Sequence, residues 1–404
     1  MALEKPEQPF PGLRQLAADL GALYAGNALV AFIFAASGPV AIILAVGSRG
    51  GLSEADLASW LFGAFFVNGL ISIALCLRYR EPLVFFWTIP GAVLVGPALG
   101  HLSFAEVIGA YLATGLLMLV LGLSGWVRRA MEAVPVPIVM GMVAGVFLRF
   151  GLDIVFGLRD DLALAAPMVL AFLLLSWSKA AARYCPPLIG ALLAGVVAIA
   201  AGGRLEPQGE GLLAFAAPNF YLPAFSWQAM LELVVPLAIT VLVVQNGQGF
   251  AVLSAAGHKP PVNAVTAACG AGSLVTAFVG CVPTCLTGPV NAIISSSGEK
   301  QRHYIAGVVV GLFALGFGSL APFFTRLLLA TPTAFIAVLG GLAMLRVLQA
   351  AFTASFGGRF TLGALVTFLV TVADVPAFGI GAAFWGLVCG YAIAWLLERA
   401  DFRG

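Results

Sequence analysis

The chain has 404 residues, of which 61% are hydrophobic and 9% charged, with a net charge of +2. A soluble domain of that length needs far more polar residues to cover its surface, so a water-soluble enzyme is excluded and an all-α polytopic membrane protein is expected. Basic residues are scattered between apolar runs, which leaves no patch for nucleic acid, and the six cysteines sit in or beside those runs as small buried hydrophobes.

A membrane-crossing helix needs about 20 apolar residues. On that measure the first spans fall near 22–46, 56–77, 83–99, 104–124, 135–150, 163–180 and 186–202. A linker at 203–227, rich in Pro, Gly and aromatic residues, separates them from a second set near 228–253, 261–279, 282–297, 303–323, 332–350, 361–373 and 378–397. The opening residues MALEKPEQPFPGLRQL do not read as a cleaved signal peptide. About 14 transmembrane segments are therefore expected, as repeats 1–202 and 228–404.

Two spans are broken. The third, EPLVFFWTIPGAVLVGPALG, is interrupted at Pro90 and Gly91, and the tenth, GCVPTCLTGPVNAIISSS, at Pro283, Thr287, Gly288 and Pro289. Non-helical backbone at membrane depth survives only where it is buried in protein or lines a cavity. Matched breaks in two halves of a transporter mark a binding site.

Seven is odd, so the second set must enter from the opposite side, as an inverted repeat. AVPVPIVMGMVAGVFLR (133–149) aligns without gaps on ATPTAFIAVLGGLAMLR (330–346), and the same offset carries Gly91 to Gly288 and Val93 to Val290. Ser37-Gly38 matches Asn246-Gly247. Lys and Arg gather in loops on one side if both termini are cytoplasmic, with only Arg49, Arg159, Arg204 and Arg326 clearly outside, and no Lys or Arg falls near the middle of an expected span. A bacterial-type inner membrane location is expected.

Each broken span starts a half-helix inside the membrane, whose first N–H groups lack partners and carry the positive end of the helix dipole. Inverted repeats bring two such ends, at Pro90-Gly91 and Gly288-Pro289, together at the midplane as an anion site without arginine. The eighth span carries VVQNGQGFAVL, where Gln245, Asn246 and Gln248 surround Gly247. Polar residues at that depth face the bundle interior or a water-filled cavity. The substrate-binding set expected is Gln245, Asn246, Gly247, Phe86, Trp87, Thr88, Pro90, Gly91, Cys285, Thr287, Gly288 and Ser37, with the aromatic pair Phe86 and Trp87 against a ring. Glu232, Asp374, His101, His258 and His303 read as snorkelling, capping or loop residues, so no proton-coupling group is named. No catalytic constellation, metal motif or cofactor motif is present, and neither is HExxH.

The residues QNGQGFAVLSAAGHKPP (245–261), LVTFLVT (365–371), GIGAAFWGLVCG (379–390) and TIPGAVL (88–94) resemble the benzoate/proton symporters of bacteria. That resemblance covers most of the chain and implies the uracil-permease-like fold of two inverted seven-helix repeats. In that fold the first four helices of each repeat form a core, here 22–124 with 228–323. The rest form a gate that often dimerises, here 127–202 with 332–397. The resemblance places substrate between half-helices 3 and 10, capped by Gln245 and its neighbours, and implies import with protons by rocking or sliding of core against gate. CVPTCLTGPVN also resembles the sulfate-permease group, which shares the fold. Benzoate is the expected substrate, with another monocarboxylate, a sulfate-like anion or a nucleobase as alternatives, and an anion channel as a rival of another class.

Overall fold

A computed structural model describes residues 3–132, 134–177, 185–204, 214–296, 298–375, 377–378 and 381–402. Among these, seven helical runs are long and apolar enough to cross a membrane. They are Ala22–Arg49, Glu54–Tyr79, Phe104–Ser124, Val136–Asp160, Trp227–Ala255, Lys300–Ser319 and Thr333–Phe356. Shorter apolar helices accompany them, and the chain is mostly helical.

The first run is broken at Ser37 into α1 (Ala22–Ala36) and α2 (Gly38–Arg49). It is followed by α3 (Glu54–Tyr79), strand β1 (Phe85–Trp87), α4 (Ile89–Ala98), α5 (Phe104–Ser124) and a short α6 (Val127–Glu132). Then come α7 (Val136–Asp160), α8 (Leu162–Trp177) and α9 (Pro187–Ala201). After the linker follow α10 (Trp227–Ala255), α11 (Val262–Ala277), strand β2 (Thr284–Leu286) and α12 (Gly288–Ile294). The chain ends with α13 (Lys300–Ser319), α14 (Ala321–Leu329), α15 (Thr333–Phe356), α16 (Thr361–Ala373) and α17 (Ala382–Leu397). Gly379 and Ile380 of the GIGAAFWGLVCG motif, Ser297 at the end of the tenth span and Lys179 and Arg183 of the expected inner loop lie outside the described residues.

Two compact units share the chain. The first is built from Met1–Phe32, Ala58–Val134 and Phe215–Ala321, the second from Ile33–Leu57, Pro135–Ala214 and Pro322–Gly404. In the first, α5 packs on α11 and α3 on α13. Small residues set these approaches. A Cβ added to Gly270 would stand 2.3 Å from Leu119 N, one on Gly122 2.4 Å from Ala267 N, and one on Gly318 2.5 Å from Phe66 N. Without a hydrophobic drive between helices in lipid, such backbone proximity is what holds them together. In the second unit, α7 packs on α15, α8 on α9 and α16 on α17. If each helix is exchanged for its counterpart seven spans on, α3·α13 becomes α11·α5, and α8·α9 becomes α16·α17.

Two helices outrun their sequence limits. The fifth and twelfth spans are expected to end near 150 and 350, just past Arg149 and Arg346, yet α7 continues to Asp160 and α15 to Phe356. The apolar run stops at the arginine, but the backbone hydrogen bonding does not. Both arginines therefore lie near the middle of their helices, contrary to the expectation that no span carries one there. Beyond Arg149, α7 holds Asp153, buried and paired with Arg49 of α2 at 2.8 Å.

Candidate functional site at the two broken spans

Both breaks belong to the first unit, and each satisfies the other's backbone. Where the sequence suggested only interrupted helix, β1 and β2 form an antiparallel ribbon with Phe85 opposite Leu286, Phe86 opposite Cys285 and Trp87 opposite Thr284. The pairing extends at both ends, where Thr88 N–H donates to Pro283 O at 3.0 Å and Thr287 N–H to Val84 O at 3.1 Å.

A two-stranded ribbon is marginal alone and leaves outward edges, which are costly away from water. Side chains of the surrounding spans close them. Phe85 N–H donates to Ser72 Oγ (2.8 Å), Thr284 N–H to Ser273 Oγ (3.0 Å) and Leu286 N–H to Asn246 Oδ1 (2.8 Å). Thr284 Oγ1 donates to Asn68 Oδ1 at 2.8 Å. Asn291, fully buried, accepts from Val84 N–H at 3.0 Å and donates to Val84 O (3.1 Å) and Thr287 O (2.7 Å).

Each strand leads into a half-helix capped by threonine. Thr88 caps α4, its Oγ1 accepting from Gly91 N–H at 3.2 Å and donating to Thr240 Oγ1 at 3.1 Å. Thr287 occupies the same place before α12, but its side chain accepts no capping bond. The residue is 8% exposed, and its hydroxyl makes no hydrogen bond among the described residues. The two caps stand at opposite ends of the ribbon, four residue steps or roughly 13 Å apart. One carboxylate group therefore reaches only one of them directly.

The eighth span runs beside the Thr287 end. It is not a plain α-helix, since Met230–Val234 and Thr240–Asn246 wind as π-turns, a form that clusters at functional sites. Asn246 is spent on Leu286 and contacts Cys269 Sγ at 3.6 Å. Gln245 is 6% exposed and its amide has no partner among the described residues. Gln248 is exposed and lies over Gly288, where an added Cβ would meet its Cγ at 2.5 Å. Gly249 abuts Leu286 in the same way (2.7 Å), whereas a Cβ on Gly247 would meet nothing closer than Met131 Cε at 3.7 Å.

Of the remaining expected residues, Pro90 and Gly91 are buried at the start of α4, and Cys285 is fully buried in β2. Gly91 is held close, with an added Cβ 2.3 Å from Thr88 Cγ2 and 3.2 Å from Thr240 Oγ1. Ser37 belongs to the second unit, at the break between α1 and α2, where its Oγ donates to Phe34 O at 3.0 Å. Phe86 and Trp87 join an aromatic cluster. Phe65 lies 5.3 Å from Phe86, 5.1 Å from Trp87 and 4.3 Å from Phe317, centroid to centroid. Trp87 Nε1 is buried without a partner among the described residues.

Asn68, Ser72, Ser273, Thr284 and Asn291, which hold the ribbon, were not singled out from sequence. Single polar residues in apolar helices were the only signal, and the partners lie as far apart as 207 and 216 positions. Histidines and carboxylates read as loop or end residues also meet. His101 Nε2 contacts Glu232 Oε2 at 2.9 Å, with Glu232 buried, and His258 contacts His303 at 3.0 Å. No cluster able to hold a metal ion is found among the described residues.

Comparison with known proteins follows the same lines. The sequence profile of the family described as benzoate membrane transport protein matches residues 17–396. The inner membrane protein YdcO of Escherichia coli is 30% identical over 91% of this chain and 93% of its own length. A protein of Acinetobacter baylyi named benzoate membrane transport protein is 28% identical over 94% and 96%. Among solved structures, the transmembrane domain of the cyanobacterial bicarbonate transporter BicA superposes with a TM-score of 0.60 at 17% identity, covering 94% of this chain and 98% of that one. SLC26A9 superposes with a TM-score of 0.63 at 14% identity over 92% of this chain. The chain spans 65% of the SLC26A9 chain's length. At such identities the likeness is one of fold, that of a membrane transporter.

Proposed function

Because the chain belongs to the benzoate membrane transport family, we propose that it is a secondary active transporter importing benzoate, or a similar small aromatic carboxylate, together with protons. The observation that carries this reading is a pair of uncommitted polar side chains at one end of the ribbon, the Gln245 amide and the Thr287 hydroxyl. Both are buried in a membrane protein, where an unpartnered polar group costs about 1–3 kcal/mol. A bound carboxylate offsets that cost, since it accepts from the Thr287 O–H, the Gln245 amide and the first free N–H groups of α12. Gln248, lying over Gly288, closes the same end.

The half-helix dipoles contribute less than their sequence signature suggested. α12 is two turns long, and the cap of α4 is already occupied by Thr88. The recognition is therefore assigned to side-chain donors at the Thr287 end, with Asn246 and Asn291 fixing the backbone they act on. From there Phe86 lies two residue steps along the ribbon, about 7 Å. A benzene ring extends over that length, so Phe86 or Trp87 supplies the apolar contact.

The exchanged packing pairs of both units support fourteen spans arranged as two inverted repeats, with half-helices 3 and 10 meeting at the midplane of a core. The charge distribution supports cytoplasmic termini in an inner membrane, and a homodimer through the gate is part of the same reading. Uptake of labelled benzoate into proteoliposomes, with and without an inward proton gradient, tests the proposal. Saturable uptake driven by the gradient is expected. Uptake of sulfate or uracil but not benzoate overturns the substrate, gradient-independent accumulation overturns the coupling, and unsaturable conductive flux makes the protein a channel.

A further inference from the structure

We propose that Glu81, His258 and His303 form a single proton-binding site, a one-proton switch that adjusts the backbone leading into the β1–β2 ribbon. His258 stands in the middle. Its Nε2 lies 3.0 Å from His303 Nδ1, and its Nδ1 lies against Glu81 Oε2. Both histidines are 4% exposed.

Two ring nitrogens facing each other share one hydrogen, so the protonation states are few. In the neutral state His258 donates Nδ1–H to the Glu81 carboxylate and accepts from His303 Nδ1–H at its bare Nε2. When one proton is added, His258 becomes an imidazolium that donates on both sides, and His303 carries its hydrogen on Nε2. The balance is one proton taken from solvent and one unit of positive charge gained. A second proton would set two N–H groups against each other across the 3.0 Å contact. The cluster therefore titrates as a unit, built from the side chain whose ordinary titration falls between about pH 5 and 8.

Its position gives the switch a route to the site. Glu81 comes directly before the third span, and its carbonyl accepts from Leu83 N–H at 2.9 Å. The next residue, Val84, is held on both its N–H and its carbonyl by Asn291. His258 closes the turn after α10, the helix that carries Gln245, through His258 N–H to Leu253 O at 2.9 Å. His303 lies in the first turns of α13.

Other charged and titratable groups face the cluster from the elements around it. Tyr24 of α1 lies 6.5 Å from the His303 ring, with the Arg302 guanidinium 4.7 Å from the Tyr24 ring. Lys259, paired with Glu7 at 4.0 Å, donates its backbone N–H to Glu81 Oε1 at 3.4 Å. Lys300 approaches the turn at Gly257, and Cys76 of α3 donates to Leu83 O at 3.3 Å, two residues beyond Glu81.

The chain contains three histidines, so NMR of the full-length protein labelled with ¹⁵N-histidine in nanodiscs resolves them with one substitution each. His258 and His303 are expected to change together in one transition that takes up one proton, and H303Q is expected to abolish the joint transition. Two independent transitions, or no change between about pH 5 and 8, would overturn the site. The effect on transport rests on the proposed function and is read separately, by benzoate counterflow. There the wild-type pH step should be lost in H258Q and in H303Q, with the alkaline rate kept. A pH step that persists in both variants overturns the switch. If wild type shows no counterflow at all, the substrate reading fails, while the NMR titration still decides proton binding.

Discussion

The two broken spans share a scaffold and differ in chemistry. Both run strand, threonine, half-helix, with a proline at the second helical position, and each strand extends the other's ladder. At the third span the threonine is consumed, since Thr88 takes Gly91 N–H and reaches Thr240. At the tenth the equivalent Thr287 makes no capping bond, and the eighth span that packs there carries the largely buried Gln245. On the proposed reading, one end holds the fold and the other meets the ligand.

The ribbon itself is the sharpest place to break that arrangement. Asn291→Ala removes three hydrogen bonds from buried backbone and leaves Val84 N–H without a partner, while Val84 O keeps only the bond from Thr287 N–H. A loss of about 3 kcal/mol or more is expected, seen as a collapse in yield and apparent melting temperature in detergent. Asn246→Ala, which orphans Leu286 N–H, should follow at about 1–3 kcal/mol. If either variant keeps wild-type stability and loses only uptake, these asparagines act on substrate and the ribbon needs no such support.

Gln245→Leu separates ligand binding from stability in the opposite sense. Replacing a buried amide that has no partner with an apolar group of similar volume should raise stability by about 1 kcal/mol or more. Uptake at low benzoate should fall by about tenfold, the loss of one hydrogen bond to a charged group. A fall in both quantities would mean that the amide holds the fold.

How much of this was legible in the chain depends on the distance over which each feature is encoded. Pro90-Gly91 and Gly288-Pro289 announced the breaks because proline and glycine act locally. QNGQG announced the polar stretch of the eighth span because amides stand out in an apolar run. The strand pairing was not legible, since Phe85-Phe86-Trp87 and Thr284-Cys285-Leu286 find each other only in three dimensions. Neither were Asn291 or Ser273, each a lone polar residue in an apolar helix. The ends of the fifth and twelfth spans, expected near 150 and 350, fall short of Asp160 and Phe356 because hydropathy follows side chains while the helix follows backbone bonds. Glu81, His258 and His303 stand apart in sequence and join only where three spans end.

Matched substitutions test the comparison between the caps directly. Thr88→Val should cost about 1 kcal/mol of stability, the loss of a cap, with little effect on KM. Thr287→Val should leave the melting temperature unchanged and raise KM about fivefold to tenfold. Equal effects of both on KM would return the site to a symmetric pair of helix ends, with the carboxylate between them.

The smallest effect is expected at Trp87, and it decides which aromatic residue meets the ring. Trp87→Phe keeps an aromatic ring beside Phe65, removes the indole N–H, which has no partner among the described residues, and leaves the side chain three ring atoms smaller. If the ring of the substrate rests on Phe86, the change should alter KM for benzoate by no more than about twofold. Stability should change by no more than about 1 kcal/mol, since the loss of a buried unpaired donor opposes the gap left by the smaller ring. If Nε1 instead donates to the bound carboxylate, KM rises by about tenfold with the same small change in stability. The carboxylate would then lie toward the Trp87–Thr284 end of the ribbon, and the Thr287 cap would lose its role.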